Sequence, residues 1–295
     1  MTFIKRSILT LCLLFPAISH AELHIVATLP ALGQIAAAVA GEDGEVRVLA
    51  RVGQDPHFVP PKPTLARHLA RADLLFSAGL GLEMGWLPPL IEVARNQAIR
   101  PETSGYFEGA SVIEVLGAKA GVDRSMGDVH PEGNPHWWLD PIRGSQVAIA
   151  LADRFAMIDP ENADSYRQRA AVFAFRLHDM TAVWKPRFSN ALPVVSYHES
   201  YRYFSERFAI PVVGFIEPKP GVEPSPAHLD SLVSIVKAKG VKQLWVEPYH
   251  HGRVAKRVAQ LSGASLLSMP DAHEVKGSEG YIQFIEMLLQ KAAGD

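Results

Sequence analysis

Three histidines in this 295-residue chain stand where an imidazole could do chemistry. His57 and His136 each follow a proline in a turn-rich loop, and His198 comes directly after a short apolar run. Proline restricts the backbone that aims the first two rings. A single histidine is most often a surface or structural residue, but the repeated context favours a function. Because neutral imidazole is a common metal ligand, the set predicts a metal site.

The sequence around the remaining histidines gives less reason to expect a metal ligand. Those expected to be structural or solvated are His24, His68, His178 and His228. His250, His251 and His273 lie in loops of the second half and are weaker candidates. The segment 117–135 contains one further histidine, His130, with the acidic residues Asp123, Asp128 and Glu132. We expect it to be a plain solvated loop.

Short apolar runs alternate with helical patterns in both halves of the chain. The expected strands cover 23–29, 46–50, 73–78, 193–197, 212–216, 243–246 and 265–268. Strands that alternate with helices indicate a parallel sheet with helices on its faces. In such sheets, ligands bind beyond the carboxyl ends of the strands. We therefore expect His57 and His136 of the first lobe to meet His198 of the second lobe in an interlobe cleft.

Between the two halves, apolar residues recur at helical spacing over 163–184. Asp159 is predicted to cap this helix, with Pro160 at its first position. Such a helix is a stiff strut that limits lobe closure. The predicted fold is α/β, with two parallel-sheet lobes joined by a long rigid backbone helix. The expected segments are a leader over 1–21, an N-terminal lobe over 22–158, a linking helix over 159–189 and a C-terminal lobe over 190–295.

The first twenty-one residues have the pattern of a secretory signal peptide. A basic pair at 5–6 precedes an apolar stretch over 7–17, and small residues precede the expected cleavage after Ala21. The stretch is about half the ~20 residues that span a bilayer. Leu11 precedes Cys12, where a lipoprotein signal has a small residue. We therefore expect a soluble periplasmic protein rather than a lipid-anchored one.

Without the leader, the chain keeps 27 basic and 31 acidic residues and no cysteine. The absence of thiols excludes disulfides and thiolate metal sites, so a metal must be held by imidazole and oxygen. The charge balance also gives no support to a nucleic-acid partner.

Four motifs carry a family resemblance. They are Asp55-Pro56-His57, the stretch 134–141 around His136, Tyr197-His198 with the aromatic run 201–204, and Glu223-Pro224-Ser225-Pro226. In this order they resemble the zinc/manganese-binding proteins of bacterial metal ABC transporters, and the likeness covers nearly the whole exported chain. It implies two α/β lobes on a backbone helix, with metal held between them and passed to an inner-membrane permease and its cytoplasmic ATPase. We expect a monomer, with a periplasmic metallochaperone as a further candidate partner.

The resemblance assigns three imidazole ligands to His57, His136 and His198. The family typically supplies an aspartate as the fourth ligand in a late loop, where this sequence has Pro270 at the matching position and Asp271 one residue later. We predict Asp271, since a local shift could bring its carboxylate to the same point. Glu247 and water are the alternative fourth ligands. The alternative role for Asp271 is that of an ordinary turn residue after a proline.

Three imidazoles and one carboxylate suit tetrahedral Zn²⁺. Manganese favours more oxygen ligands, so zinc is the predicted cargo and manganese the alternative. Because only neutral imidazole binds, we expect metal to be lost below about pH 6.

A zinc hydrolase is the alternative from another class, with Glu199 as the general base. Against it, the chain has no His-Glu-x-x-His run, no Gly-x-Ser-x-Gly motif and no Gly-rich phosphate loop. A two-lobed protein that binds a siderophore or haem would need a cleft lined with Arg or Tyr, whereas these loops supply histidine. The sequence therefore favours a metal-binding protein over an enzyme.

Overall fold

Two four-stranded sheets, one in each half of the chain, form the framework of the molecule. The computed structural model describes residues 22–118, 130–219, 221–250, 252–273 and 279–294. The strands are β1 Leu23–Ala27, β2 Gly44–Val48, β3 Leu74–Ser77, β4 Tyr106–Glu108, β5 Val194–Ser196, β6 Val212–Phe215, β7 Gln243–Val246 and β8 Ser265–Ser268. The helices are α1 Pro30–Ala40, α2 Pro63–Leu69, α3 Leu87–Ala94, α4 Pro141–Ile158, α5 Ala163–Trp184, α6 Arg202–Phe208, α7 Pro226–Ala238, α8 Arg253–Ser262 and α9 Gly280–Ala293.

The two sheets have the same topology. Their strand orders are β2-β1-β3-β4 and β6-β5-β7-β8, and all pairings between these strands are parallel. The strand β3 is buried along its whole length, as expected where helices cover both faces of a sheet. In each sheet the chain reverses its direction of winding between the first and third strands, where ligands bind in doubly wound folds. The predicted class, α/β with two parallel-sheet lobes, is confirmed.

A helical hairpin of α4 and α5 follows the first sheet. The patterns considered above predict no helix over 141–158, yet α4 runs for 18 residues. Asp140 caps it, because its Oδ1 accepts from the Ile142 backbone N–H at 2.9 Å and Pro141 takes the first helical position. The helix buries Val147, Leu151 and Phe155, which have the helical spacing that also predicts α5.

The long helix α5 has the predicted apolar stripe but a different start. Its buried residues include Tyr166, Ala170, Phe173, Leu177 and Trp184. Residues 160–162 form a separate 3₁₀ turn, and α5 begins at Ala163. The prediction that Asp159 caps this helix is wrong. Its Oδ2 accepts instead from Asn162 Nδ2 at 2.8 Å and from the Tyr166 hydroxyl at 2.6 Å.

The C-terminal helix α9 connects the halves, since it packs against α1 of the first lobe. Its Tyr281 hydroxyl donates to the Trp138 carbonyl at 2.7 Å. The segment boundaries given above stay a prediction. The expected leader at 1–21, the part of the loop at 119–129 with Asp123 and Asp128, and His251 lie outside the described residues. Within the described ranges, none of the helices is both long and apolar enough to cross a membrane.

Candidate metal site

His57 is held by the residue two positions before it. Asp55 Oδ1 accepts from the His57 backbone N–H at 2.9 Å and also lies 2.9 Å from the His57 ring Nδ1. The Trp86 indole donates to the Pro56 carbonyl at 2.9 Å and so holds the loop that carries His57. Burial raises the pKa of Asp55, but the hydrogen bonds and charge of His57 outweigh it, so the pKa is lowered overall. The ionised carboxylate therefore orients the ring through Nδ1.

His136 is held in the same way by Asn134. The Asn134 Oδ1 accepts from the His136 backbone N–H at 3.0 Å and lies 3.1 Å from Nδ1. Asn134 also joins the lobes, because its Nδ2 donates to the Glu199 carbonyl at 2.8 Å and its carbonyl accepts from the Tyr203 hydroxyl at 2.8 Å. The sequence Asx-Pro-His thus produces the same ring support twice in the first lobe.

His198 takes its support from a neighbouring strand. It lies two residues after the end of β5, and its Nδ1 is 3.0 Å from Oε2 of Glu217, which lies two residues after the end of β6. The other carboxylate oxygen of Glu217 accepts from the Gly221 backbone N–H at 2.8 Å. Since β5 and β6 are adjacent, their carboxyl ends bring the pair together.

The three imidazoles form one cluster between the lobes. One ring nitrogen from each of His57, His136 and His198 lies within 4.8 Å of the other two. The ring centroids are 5.3 to 5.5 Å apart. The side chains are 9%, 1% and 5–6% exposed, respectively. Because an oxygen faces Nδ1 in each ring, the lone pair is left on Nε2, as in metal sites where an oxygen acceptor orients the ligating histidine.

His136 has the environment expected of a ligand. Its Nε2 is buried and makes no hydrogen bond to the described part of the protein. Burial lowers the pKa of His136 well below its usual value, and the nearby His198, His57 and His130 lower it further. The ring is therefore neutral at physiological pH and able to bind a cation.

Asp271 lies beside the cluster, but the structure does not bring it into the group of three nitrogens. Its Oδ2 accepts from the Gly53 backbone N–H at 2.7 Å, and its Oδ1 accepts from the Ala272 backbone N–H at 2.8 Å. Burial raises the pKa of this carboxyl. The bond to Gly53 joins the second lobe to the loop that carries His57.

Glu247 directly follows β7 and lines a small inner cavity together with His136 and Asp271. It is 3% exposed, so its carboxyl group is almost fully removed from solvent. Burial raises its pKa to about 8, so the carboxyl is largely neutral at pH 7. A carboxyl group in this state is a poor ligand until it loses its proton.

His130 is a further neighbour of the cluster, although its sequence context predicts only a solvated loop. Its Nε2 lies 3.3 Å from His57 Nε2, and its Nδ1 lies 2.9 Å from the Leu80 carbonyl oxygen. The expectation of a plain solvated loop is therefore wrong for this residue. A signal was present in the sequence, since His130 precedes a proline only six positions before His136.

The other polar candidates take structural roles. Glu199, the general base of the hydrolase hypothesis, forms an ion pair with Arg202. His178 contacts the Ser145 hydroxyl at 3.2 Å, and His228 contacts the Phe215 carbonyl at 3.0 Å. His250 stacks on Tyr197, and the His273 carbonyl accepts from the Gln34 side chain.

Trp137 and Trp138 pack around His136. The ring of Trp138 lies 5.2 Å from the His136 ring, and the Trp137 indole donates to the Ala78 carbonyl at 2.9 Å. Both are at most 7% exposed. The Trp138 ring therefore covers the His136 imidazole from solvent.

Two parallel α/β lobes with imidazoles from both lobes between them define the class of two-lobed solute-binding proteins. A profile of the family described as zinc-uptake complex component A, periplasmic (ZnuA), matches residues 25–293. The chain belongs to this family.

The chain is similar in sequence to a lipoprotein and in fold to two solved structures. The manganese ABC transporter substrate-binding lipoprotein PsaA of Streptococcus pneumoniae is 27% identical over 287 residues, covering 93% of this chain and 89% of PsaA. A crystal structure of ZnuA has a TM-score of 0.78 at 22% identity, covering 93% of this chain and 99% of that one. The SBP FpvC of Pseudomonas aeruginosa, solved in complex with Mn²⁺, has a TM-score of 0.76 at 22% identity, covering 93% and 98%. These structural likenesses show the fold alone.

The protein is therefore the substrate-binding component of a metal ABC transporter and not an enzyme. A transporter of this class implies a membrane permease and an ATPase as partners. The predicted family and the predicted class of metal-binding protein are confirmed. The choice between zinc and manganese as the cargo is a finer distinction within this class.

Proposed function

We propose that this protein captures Zn²⁺ in the periplasm with His57, His136 and His198 and delivers it to the permease of its ABC transporter. The observation that carries the proposal is the convergence of three ring nitrogens within 4.8 Å, in a setting where each Nδ1 faces an oxygen. Three neutral nitrogen ligands suit zinc, whose tetrahedral protein sites commonly contain several imidazoles.

Manganese is the alternative cargo. It is supported by the name of PsaA and by the Mn²⁺ complex of FpvC. Manganese favours oxygen ligands, so a shell dominated by imidazole favours zinc. Asp271 remains our sequence prediction for a carboxylate ligand. To reach a metal, its carboxylate would have to exchange or share its bond to Gly53.

The location and assembly of the protein form part of the proposal. We infer export by a cleavable leader over 1–21 and release as a soluble, monomeric periplasmic protein, although PsaA is named a lipoprotein. The basis is the residue pattern around Cys12, the chain's only cysteine. A periplasmic metallochaperone is a further proposed partner.

An equilibrium titration tests the zinc site. The apoprotein is titrated with zinc and with manganese against a competing chelator at pH 7.5, together with His57→Ala plus His136→Ala as a double variant. We expect the wild type to bind one zinc per chain, more tightly than manganese, and the double variant to lose tight binding.

His68→Ala serves as the control, because His68 is an exposed residue of α2 and should leave the titration unchanged. Tight one-to-one zinc binding by the double variant would overturn the site assignment. Tighter binding of manganese by the wild type would overturn zinc as the cargo.

A further inference from the structure

We propose that His130 is the fourth ligand of the captured metal, so that four imidazoles surround it. This inference rests on the proposed function, because it adds a ligand to the same three-histidine site. Four observations on the described residues carry it: one interatomic distance, the hydrogen bonds of two rings, the ring arrangement around His57 and the cavity at the mouth of the site.

The distance between His130 and His57 is that of two ligands on one tetrahedral ion. Their Nε2 atoms are 3.3 Å apart. Zinc–nitrogen bonds of about 2.0–2.1 Å at a tetrahedral angle place two ligand nitrogens about 3.3–3.4 Å apart. A hydrogen bond between two ring nitrogens would normally be shorter, since N–H donors prefer about 2.9–3.0 Å to an oxygen acceptor.

The hydrogen bonds of the two rings orient their lone pairs toward each other. His57 Nδ1 lies 2.9 Å from the Asp55 carboxylate, and His130 Nδ1 lies 2.9 Å from the Leu80 carbonyl oxygen. A carbonyl oxygen only accepts, so the His130 proton belongs on Nδ1 and the lone pair on Nε2. The ionised Asp55 gives His57 the same tautomer. Two facing lone pairs repel, and a cation between them removes the repulsion.

Three imidazoles surround His57 at nearly equal distances. Its ring centroid is 5.4 Å from that of His130, 5.5 Å from that of His136 and 5.4 Å from that of His198. His57, His136 and His198 form the group whose ring nitrogens all lie within 4.8 Å of one another, and His130 lies outside that group. His130 therefore has to approach His136 and His198 more closely when it joins the metal.

His130 is half-buried, whereas His136 and His198 are buried. It lines a cavity of about 350 Å³ with His57, Pro60, Leu82 and Trp86. Asp271 instead lines the inner cavity, and both its oxygens already accept backbone N–H groups. A metal held by three histidines alone would be open to water, and His130 closes that position. A shell of four nitrogens also favours zinc over manganese.

Zinc affinities of four variants test the role of His130. We compare His130→Ala, His130→Gln and Asp271→Asn with the wild type by chelator competition at pH 7.5, using His68→Ala as the exposed-histidine control. Both His130 variants should lose at least about 10-fold in affinity, the smallest loss typical even of residues that only support a metal ligand. Asp271→Asn should lose less than either, and His68→Ala should match the wild type.

X-ray absorption of the zinc-loaded protein counts the imidazoles directly. We expect four in the wild type and three in His130→Ala, and the count in the wild type needs no variant to fold. A wild type with three imidazoles, or His130 variants with wild-type affinity, would overturn this inference and leave His130 as a hydrogen-bond neighbour of His57. Absence of one-to-one zinc binding by the wild type would instead overturn the proposed function.

Discussion

Each imidazole of the cluster is oriented by an oxygen that faces its Nδ1. This oxygen belongs either to a residue close in sequence or to a distant one. For His57 and His136 it belongs to the residue two positions earlier, in Asp-Pro-His and Asn-Pro-His. For His198 it belongs to Glu217, nineteen residues away on the neighbouring strand end. The first two supports are local and can be read from the sequence. The third depends on the strand order and cannot.

Glu247 gives a residue-scale prediction for the metal-free protein. Its pKa is about 8 in the folded state against an ordinary 4.5. The folded state therefore binds more protons than the unfolded state between these values, so stability falls as the pH rises through this window, by at most about 1.4 kcal/mol per pH unit. Glu247→Gln removes this contribution. The stability of the wild type relative to Glu247→Gln should decline from pH 5 to pH 8.

Chemical denaturation with a chelator present, at several pH values, measures this difference. Glu42→Gln, a change at an exposed carboxylate, is the control and should leave the pH dependence as in the wild type. A constant difference between wild type and Glu247→Gln across the range would show that Glu247 is not buried as a neutral acid.

At the scale of elements, a buried charge cluster joins α4 to α6. Asp140 is fully buried and accepts from Arg143 Nη1 at 2.6 Å. It also accepts from Arg207 of α6 in a two-point contact, at 2.8 Å from Nε and 2.9 Å from Nη2. Because Asp140 also caps α4, one side chain starts a helix of the first lobe and binds a helix of the second.

Asp140→Asn keeps the cap but removes the buried negative charge. It takes the buried carboxylate away from Arg143, which is 6% exposed and keeps only a 3.5 Å pair with the exposed Glu206. We expect the free energy of unfolding of the apoprotein to fall by about 3 kcal/mol. Asp153→Asn is the matched control. It breaks an exposed pair with Arg167 in the same helical hairpin, which should cost less than about 1 kcal/mol. Equal losses in urea denaturation would contradict this account of the interlobe charge cluster.

At the scale of the molecule, the proposed ligands belong to both lobes, so zinc should stabilise the fold as a whole. A ligand at about 1,000 times its dissociation constant adds about 4.1 kcal/mol to the free energy of unfolding. His198→Ala removes the ligand of the second lobe. If it weakens zinc about 100-fold, the gain at the same zinc concentration should fall to about 1.4 kcal/mol.

Denaturation with and without zinc measures this increment. His228→Ala is the control, because His228 is also in the second lobe but contacts the Phe215 carbonyl. It should keep the full zinc increment, whatever its effect on the apoprotein. A full increment in His198→Ala would mean that metal binding does not depend on the second lobe.

The sequence by itself determined the α/β class, the absence of cysteine ligands, the stripe of α5 and the three histidines in their Asx-Pro-His and strand-end contexts. These features are local, because they follow from periodicity, residue chemistry and turns of a few residues. The tertiary structure decided which oxygen orients His198, that Asp271 bonds Gly53, that Glu247 is a neutral acid and that His130 lies 3.3 Å from His57. These contacts and burials involve parts of the chain that are far apart in sequence, so the local patterns do not fix them.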